Sequence, residues 1–159
     1  MDFRFAEASD LPALLTLING AFRVETHFIR GDRLTSERIH DHFAAGRFLI
    51  AEDDHSPSGC VYVELHGKRG YLGLLSVDPA RQKTGLGRRL VAAAEEFARE
   101  MGARRMDLTV VNLRTELQPI YEKLGYTVIG EEPIREEMVP RVIRNCHFIR
   151  MSKPLGTGE

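Results

Sequence analysis

The stretch that decides how this chain folds is VDPARQKTGLGRR, residues 77–89. It places a Gly-rich turn between a strand-like run and an amphipathic helix that starts behind Gly85. The first backbone N–H groups of a helix have no partner within it, and the helix dipole adds a partial positive charge there. Gly85 and Gly87 let a ligand come close to these amides. The segment therefore predicts a site for a ligand that carries phosphates.

Spacing separates this turn from two common phosphate-binding loops. A Walker A loop needs Lys and then Ser or Thr after its last glycine, whereas two arginines follow Gly87. A dinucleotide-binding loop needs a third glycine where this chain has Leu90. The remaining pattern, Gln82-x-x-Gly85-x-Gly87, resembles the pyrophosphate loop of the GNAT family of N-acetyltransferases, which binds acetyl-coenzyme A. Taken alone, such a turn can also start a helix without binding anything.

Composition bounds the chain to one globular unit. Hydrophobic residues make up 43% and charged residues 28% of the 159 residues, and no apolar run approaches the ~20 residues needed to span a bilayer. The N-terminus lacks the pattern of a signal peptide, and the two cysteines, Cys60 and Cys146, do not suggest a disulfide scaffold. We expect residues 1–159 to form a single cytoplasmic domain without a membrane role, as a monomer or homodimer.

The overall charge argues against nucleic acid as a partner. A net charge of −1 and a pI of about 6.6 give no positive field over the whole molecule. Locally, basic side chains surround the Gly-rich turn, where they could neutralise the phosphates of a coenzyme or simply be solvated. These residues are Arg81, Lys83, Arg88 and Arg89.

Hydrophobic periodicity and turn residues divide the chain into short strands and helices. The predicted strands are residues 3–5, 47–52, 59–66, 70–77, 105–111, 126–130 and 146–153. The predicted helices follow Ser9 or Asp10, Thr35 or Ser36, Gly85, and Thr115 with a Thr115–Gln118 capping box; turns include residues 53–58. Strands 70–77 and 105–111 should be parallel because a helix connects them. The fold class is therefore α+β, with a mixed central sheet of six to seven strands and helices on both faces.

The helix behind Gly85 shows two distinct faces. Its apolar positions are Leu86, Leu90, Ala94, Phe97, Ala98 and Met101. Its polar positions are Arg88, Arg89, Glu95, Glu96, Arg99 and Glu100. This spacing predicts that the first set is buried against the sheet and the second set is solvated.

A second motif, Tyr121-Glu-Lys-Leu-Gly-Tyr126, is similar to the helix motif that follows the fifth strand in GNAT enzymes. Tyr121 alone could be an ordinary core aromatic. Two motifs in the same order identify the chain as a member of this family, and the resemblance extends loosely over residues 3–154. It implies α/β/α layers and a bulged fourth strand that splays from the fifth.

The resemblance also implies the roles of individual residues. The pantetheine arm would pair with the main chain of Leu75, Ser76 and Val77, and a backbone N–H near Val77 would stabilise the oxyanion. Tyr121, with an ordinary pKa near ~10, would be the general acid. No metal is implied. The pyrophosphate would contact the amides of Gln82, Lys83, Thr84, Gly85, Leu86, Gly87 and Arg88.

The general base is not evident. Some relatives place a glutamate on the fourth or fifth strand, where this chain aligns Tyr71 and Thr109. A water relay or an amine that arrives neutral would serve as well. Arg114 replaces an asparagine of many relatives and could pair with a phosphate, an acidic substrate group or nothing. The candidates by residue type, each expected to be a surface group, are Glu25, His27, Glu64, Glu116 and His147.

The resemblance implies an acetyl-CoA-dependent N-acetyltransferase that works by direct attack in a ternary complex. The acceptor pocket would lie between residues 23–34 and 131–145, which are mixed in charge. We expect a small-molecule amine, and a protein N-terminus or lysine is the next candidate. The missing strand carboxylate keeps a different function open, a non-enzymatic acyl-CoA sensor. A nucleic-acid-binding module is disfavoured because a basic aromatic sheet face is absent.

Overall fold

A mixed sheet of seven strands forms the centre of the computed structural model, which describes residues 2–156. Helices lie on both faces, as the predicted α+β class requires. The strands are β1 (Asp2–Phe5), β2 (Arg47–Asp53), β3 (Ser56–His66), β4 (Arg69–Val77), β5 (Arg105–Val111), β6 (Thr127–Pro133) and β7 (His147–Pro154). The α-helices are α1 (Leu11–Ala21), α2 (Ser36–Ala45), α3 (Leu86–Glu100) and α4 (Leu117–Lys123).

The strand order is β1-β2-β3-β4-β5-β7-β6. β2, β3 and β4 form the predicted antiparallel meander, because short turns join them. β1 pairs antiparallel with β2, although α1 and α2 lie between these two strands in the sequence. β4 and β5 are parallel, and α3 connects them across one face of the sheet. The predicted β-α-β unit is therefore confirmed. It directs the N-terminus of α3 to the end of β4, next to the Gly-rich turn.

Each face of the sheet has its own apolar core. α1 and α2 bury Leu14, Ile18 and Ile39 on one face, against aromatic and aliphatic side chains of β2 and β3. α3 buries Leu90 and Ala94 on the other face, together with Tyr121 of α4. Each fully buried leucine or isoleucine contributes roughly 1.5–3 kcal/mol relative to an exposed one. The helical spacing of the apolar residues thus explains how the helices are fixed to the sheet.

Two positions of α3 differ from the prediction. Met101 is 59% exposed, because the helix ends at Glu100 and Met101 already forms its C-cap. Glu95 is 7% exposed, although the spacing assigned it to the polar face. Its carboxylate accepts hydrogen bonds from the Tyr126 hydroxyl at 2.7 Å and from Lys153 Nζ at 2.9 Å. These partners come from distant parts of the chain, so helical periodicity could not reveal them.

Turns and caps follow the prediction with local corrections. The β2–β3 turn is shorter than residues 53–58, because Asp54 and His55 adopt positive φ angles of 51° and 65° and let both strands extend. Thr35 caps α2 by accepting a hydrogen bond from the Arg38 amide at 3.1 Å. The predicted Thr115–Gln118 capping box is wrong: α4 starts at Leu117 and has no side-chain cap. Asp10 binds Arg4 and the Glu7 amide instead of capping α1.

Three further stretches form 3-10 turns beside the site: Phe22–His27, Pro79–Arg81 and Glu136–Arg141. Within residues 2–156, no helix combines the length and hydropathy of a transmembrane segment.

Candidate active site

The site begins at a bulge in β4. Cys60 of β3 pairs with Ser76, and Tyr62 pairs with Gly73, so two residues of β4 lie opposite the single residue between them on β3. One of the two, Leu74, has a φ of 52°, a conformation that costs free energy for a residue with a branched side chain. The Ser76 hydroxyl donates to the Leu74 carbonyl at 3.0 Å and holds this geometry. The bulge turns the following residues of β4 away from the regular ladder.

β4 and β5 separate directly after a short paired segment. They pair only where Arg69, Gly70 and Tyr71 meet residues 105–107, and Arg69 binds both carboxylate oxygens of Asp107 at 2.7 Å. Beyond Tyr71 the β5-facing edge of β4 has no strand partner in the described chain. A cleft of about 100 Å³ opens there between the two strands. The predicted splay between strands four and five is thus present.

A cavity of about 560 Å³ continues from this cleft to the N-terminus of α3. We call it the coenzyme cavity. Five of the residues assigned to the coenzyme line it: Leu75, Val77, Gln82, Gly87 and Arg88. Sequence reasoning assigned Tyr121 of α4 to the site but missed the other residues of this helix that line the cavity, among them the half-exposed Ile120. The remaining residues that line the coenzyme cavity are Ala21, Phe22, Val91, Arg114, Leu117, Ile120, Tyr121, Lys123 and Leu124.

The other assigned residues do not present their side chains to this cavity. Ser76 is buried and hydrogen bonded within the bulge, and Leu86 is buried in the core beneath α3. Lys83, Thr84 and Gly85 shape the turn. Any contact of these five residues with a ligand in this cavity would therefore come through the main chain.

Backbone geometry at the start of α3 fits an anionic group. Lys83 and Gly85 have φ angles of 66° and 83°, and Gly85 is the N-cap of α3, where glycine has no side chain that could accept from the first amides. The Gly85 carbonyl accepts the first hydrogen bond of the helix from the Arg89 amide, so the amides of residues 86–88 have no partner within the helix. A Cβ added at Gly87 would meet only the Val77 side chain, at 3.8 Å. The protein thus leaves open amides and free space where a pyrophosphate would lie.

Tyr121 lies where the coenzyme cavity meets the central cleft. Its side chain is 7% exposed, lines both spaces, and packs edge-on against Tyr126 with ring centroids 5.8 Å apart. Burial raises the pKa of the Tyr121 phenol to about 12, whereas the sequence analysis assumed an ordinary value. The phenol is therefore neutral and able to donate a proton at any pH near neutrality.

Arg114 and Glu25 form an ion pair beside Tyr121. Arg114 binds Glu25 at 3.0 Å and Glu116 at 3.0 Å, so the alternative in which it pairs with nothing is wrong. A contact of Arg114 with a phosphate or an acidic substrate group stays a prediction. The side chain of Glu25 is only 13% exposed and lines the central cleft together with Tyr121, so the expectation of a surface group is wrong. Burial raises the pKa of Glu25, and the charges of Arg33 and Arg114 oppose that rise.

The other candidate bases are less well placed. Glu64 lines the acceptor side, but its oxygens accept from the Tyr62 hydroxyl at 2.7 Å and bind His66 at 2.8 Å. The side chain of Glu116 is 55% exposed. His27 is exposed at the end of its 3-10 turn, and His147 lies 3.4 Å from an exposed glutamate. Glu25 is therefore the one carboxylate among the described residues that lines the central cleft together with Tyr121.

A third space of about 550 Å³, the acceptor cavity, lies on the opposite side of the cleft. The two segments predicted to form it meet there: Ile29 pairs with Val142, and the Arg30 amide donates to the Arg141 carbonyl at 2.8 Å. Sequence reasoning missed that α2, β3 and β4 complete the wall. The lining residues are Asp32, Arg33, Leu34, Thr35, Arg38, His42, Tyr62, Glu64, Tyr71, Leu74, Arg135, Glu137, Met138 and Arg141.

The three spaces adjoin one another. Leu75, Arg114 and Tyr121 line both the coenzyme cavity and the central cleft. Arg33 and Leu74 line both the central cleft and the acceptor cavity. Two molecules entering from opposite sides would therefore meet beside the β4 bulge, within reach of Tyr121 and Glu25.

Comparisons with known proteins agree with this architecture. Residues 11–126 match the model of the acetyltransferase (GNAT) family. The chain is 31% identical over 83 residues to a mycothiol acetyltransferase of Propionibacterium freudenreichii subsp. shermanii, covering 52% of this chain and 23% of that protein. It is 32% identical over 93 residues to "Probable glucosamine 6-phosphate N-acetyltransferase 2" of Oryza sativa subsp. japonica, and the alignment covers 52% of this chain and 54% of that protein.

Among solved structures, the ribosomal-protein-S18-alanine N-acetyltransferase of Escherichia coli superposes with a TM-score of 0.77. The two chains are 15% identical, and the alignment covers 99% of this chain and 96% of that one. This likeness concerns the fold. The aligned regions span about half of the Oryza sativa protein and under a quarter of the mycothiol enzyme.

Proposed function

The chain belongs to the acetyltransferase (GNAT) family, and we propose that it transfers the acetyl group of acetyl-CoA to a primary amine of a small molecule. The reaction is a direct attack in a ternary complex. The observation that carries the proposal is the meeting of two large cavities at a cleft that contains Tyr121 and Glu25. A binding protein that only senses a coenzyme has no need of a second cavity joined to the first at a buried acid and a buried carboxylate.

The chain's own residues suit the coenzyme. Free amides at the start of α3 bind the pyrophosphate, and Arg88 lies at the same cavity wall. The unpaired edge of β4 after Tyr71 offers main-chain donors and acceptors to an extended, amide-bearing arm, as in strand addition. The bound coenzyme supplies the acetyl group as a thioester.

Group transfer then needs three things from the protein. The amine nitrogen forms a bond to the acetyl carbon while the carbon–sulfur bond breaks, so one proton must leave the amine and one must reach the sulfur. Tyr121 donates the proton that the sulfur receives, and the raised pKa keeps the phenol protonated until that step. A main-chain N–H on the open β4 edge stabilises the charge that develops on the carbonyl oxygen.

Glu25 takes the proton from the amine in this scheme. It lines the central cleft with Tyr121 and is partly withdrawn from water. A general base works best when its pKa approaches the operating pH, and burial shifts the pKa of Glu25 in that direction. Arg114 holds the carboxylate in place through a hydrogen bond at 3.0 Å. Glu25 therefore supplies the function that Tyr71 and Thr109 cannot.

A small acceptor is favoured over a protein chain by the shape of the acceptor side. The acceptor cavity is bounded by two crossing segments, a helix and the sheet, and has the volume of a pocket for a small molecule. Acetylation of a protein N-terminus or lysine is the second candidate. It is motivated by the fold shared with the Escherichia coli enzyme, and it would require only the end of a chain to enter.

The test is release of free coenzyme A, measured with a thiol reagent, from acetyl-CoA and a panel of amines. The panel includes amino acids, amino sugars, polyamines and short peptides with free N-termini. We expect saturable turnover with at least one small amine and stabilisation against heat by acetyl-CoA alone. Stabilisation by acetyl-CoA without turnover of any amine would favour the sensor instead.

A further inference from the structure

We propose that the acceptor is an amine that also carries an anionic group, a carboxylate or a phosphate, which Arg33 and Arg135 bind in the acceptor cavity. This inference rests on the proposed function, because it names the class of amine that the same site takes. The observations that support it are the charged side chains in the wall of the acceptor cavity.

Arg33 forms no hydrogen bond or salt bridge with an anionic side chain in residues 2–156, although the charge of Glu25 lies near enough to act on it. Its Nε is buried and is the only such side-chain nitrogen or oxygen without a hydrogen-bond partner in residues 2–156. The guanidinium forms no salt bridge in the same range and lies over the Phe22 ring at 5.4 Å from its centroid. A buried donor without an acceptor costs roughly 1–3 kcal/mol, and more when it is charged. Such a group is retained at that cost where a ligand supplies the acceptor.

Arg135 enters the same cavity from the opposite segment. It is partly buried and forms no salt bridge within the described chain, and its guanidinium lies 5.5 Å from the centroid of the Phe148 ring. Burial first, and then the like charge of Arg135, lower the pKa of Arg33, while the charge of Glu25 opposes them. Two guanidinium groups that repel each other across a cavity form a strong site for an anion placed between them.

Apart from the Asp32 carboxylate, which forms no hydrogen bond or salt bridge within residues 2–156, the other charged side chains of the wall are bound within the protein. Arg38 binds Glu137 at 3.0 Å, and Arg141 donates to the carbonyls of Arg30 and Asp32 at 3.0 and 3.1 Å. Glu64 is held by Tyr62 and His66, and the hydrogen bond of Glu25 goes to Arg114. Arg33 and Arg135 are thus the two cations of this wall without a hydrogen-bonded partner among residues 2–156.

The position of Arg33 sets the distance between the two groups of the ligand. Arg33 lines the central cleft as well as the acceptor cavity, so an anion bound to it lies at the border of the two. The amine must reach the cleft where Tyr121 and Glu25 lie. An acceptor with its amine and its anion separated by a few bonds satisfies both requirements, as in an amino acid or a small phosphorylated amine.

The first arm of the experiment measures anion binding without turnover. Wild-type protein saturated with coenzyme A, which occupies the phosphate site of α3, is titrated with glutarate or inorganic phosphate by calorimetry. We expect saturable binding to the wild type and to Arg104→Gln, which changes an exposed arginine outside the three cavities. Arg33→Gln and Arg135→Gln should each weaken binding at least about tenfold. Equal binding by all four proteins, or no binding to the wild type, would overturn the inference.

The second arm compares matched amines that differ in charge. Glutamate is compared with its diamide for the carboxylate, and glucosamine 6-phosphate with glucosamine for the phosphate. In the wild type, kcat/KM for one charged member should exceed that of its neutral partner at least tenfold, and Arg33→Gln should remove most of this ratio while leaving KM for acetyl-CoA unchanged. Preference for the neutral members would contradict the inference. Absence of turnover for every amine would contradict the proposed function, and the binding arm would still decide the anion site.

Discussion

The coenzyme side and the acceptor side of this protein are formed in different ways. On the coenzyme side, one continuous segment, residues 75–88, forms a wall of the cavity, and Arg88 is the one charged residue of that segment among the lining residues. On the acceptor side, side chains from five separate segments form the wall, and four of them are arginines. A backbone site depends on conformation, whereas a side-chain site depends on the identity of each residue. We therefore infer that the coenzyme side is sensitive to substitutions that alter or fill the space at the backbone, and the acceptor side to substitutions that change the charge of a side chain.

The largest effect is expected for Glu25→Gln, which removes the proposed base while keeping the size of the side chain. We expect kcat to fall about 100-fold, the usual contribution of a general base. The base must be ionised, so wild-type kcat/KM should fall as the pH drops through a pKa above the ordinary glutamate value of about 4.3. That acidic limb should be absent in the variant.

Glu116→Gln is the matched control, because Glu116 also binds Arg114 but its side chain is 55% exposed and lies outside the lining of the three cavities. We expect its turnover within about twofold of the wild type. An equal loss in both variants would mean that only the orientation of Arg114 matters.

Gly87→Val tests whether the coenzyme side depends on open space at the backbone. A Cβ at this position meets only the Val77 side chain, at 3.8 Å, so we expect the variant to fold, with thermal denaturation as the check. The added side chain would occupy the cavity, so KM for acetyl-CoA should rise about 50-fold, as expected when one or two charge-assisted hydrogen bonds are lost. Gly20→Val makes the same change in α1, where nothing lies within 4 Å, and should leave that KM unchanged.

Tyr121→Phe should lower kcat at least about tenfold, or ~1.4 kcal/mol of transition-state stabilisation, with little change in the free energy of unfolding. Tyr126→Phe should instead lower the free energy of unfolding. Its hydroxyl donates to buried Glu95 at 2.7 Å, so its loss should cost about 1–3 kcal/mol of stability and leave kcat nearly unchanged. Chemical denaturation and steady-state kinetics on both variants separate the roles, and a full kcat for Tyr121→Phe removes it from the mechanism.

The smallest effect is expected for Lys83→Ala. The Lys83 side chain does not line the coenzyme cavity, and Lys83 contributes to the turn through its backbone, which has a φ of 66°. KM for acetyl-CoA should rise about twofold at low salt, and the difference should vanish at high ionic strength because exposed charges are screened. A rise of more than tenfold would show that side-chain charge, rather than the backbone, binds the phosphates.

The same contrast explains what the sequence could predict. The conformation of the Gly-rich turn was predictable because Gln82, Gly85 and Gly87 lie within six residues of one another, and their effect on the backbone is local. The β-α-β unit was predictable because helical and strand periodicity specify it. Tyr121 was found through a local motif, but its raised pKa depends on packing against Tyr126 and the sheet.

Features that join distant parts of the chain were not predictable in the same way. The Glu25–Arg114 pair joins residues 89 positions apart, and helical spacing placed Glu95 in solvent although Lys153, 58 positions later, binds it. The positive φ of Leu74 falls on a residue type that gives no such signal. Each of these features depends on which distant residues meet after folding, and neither composition nor period contains that information.

A crystal structure with bound coenzyme A tests the central claim most directly, namely that a backbone phosphate site and a charged acceptor cavity meet at Tyr121. We predict that the pyrophosphate lies on the amides of residues 82–88, that the arm follows the open edge of β4, and that the sulfur lies within about 3.5 Å of the Tyr121 hydroxyl. A coenzyme bound elsewhere, or a sulfur remote from Tyr121, would contradict the account.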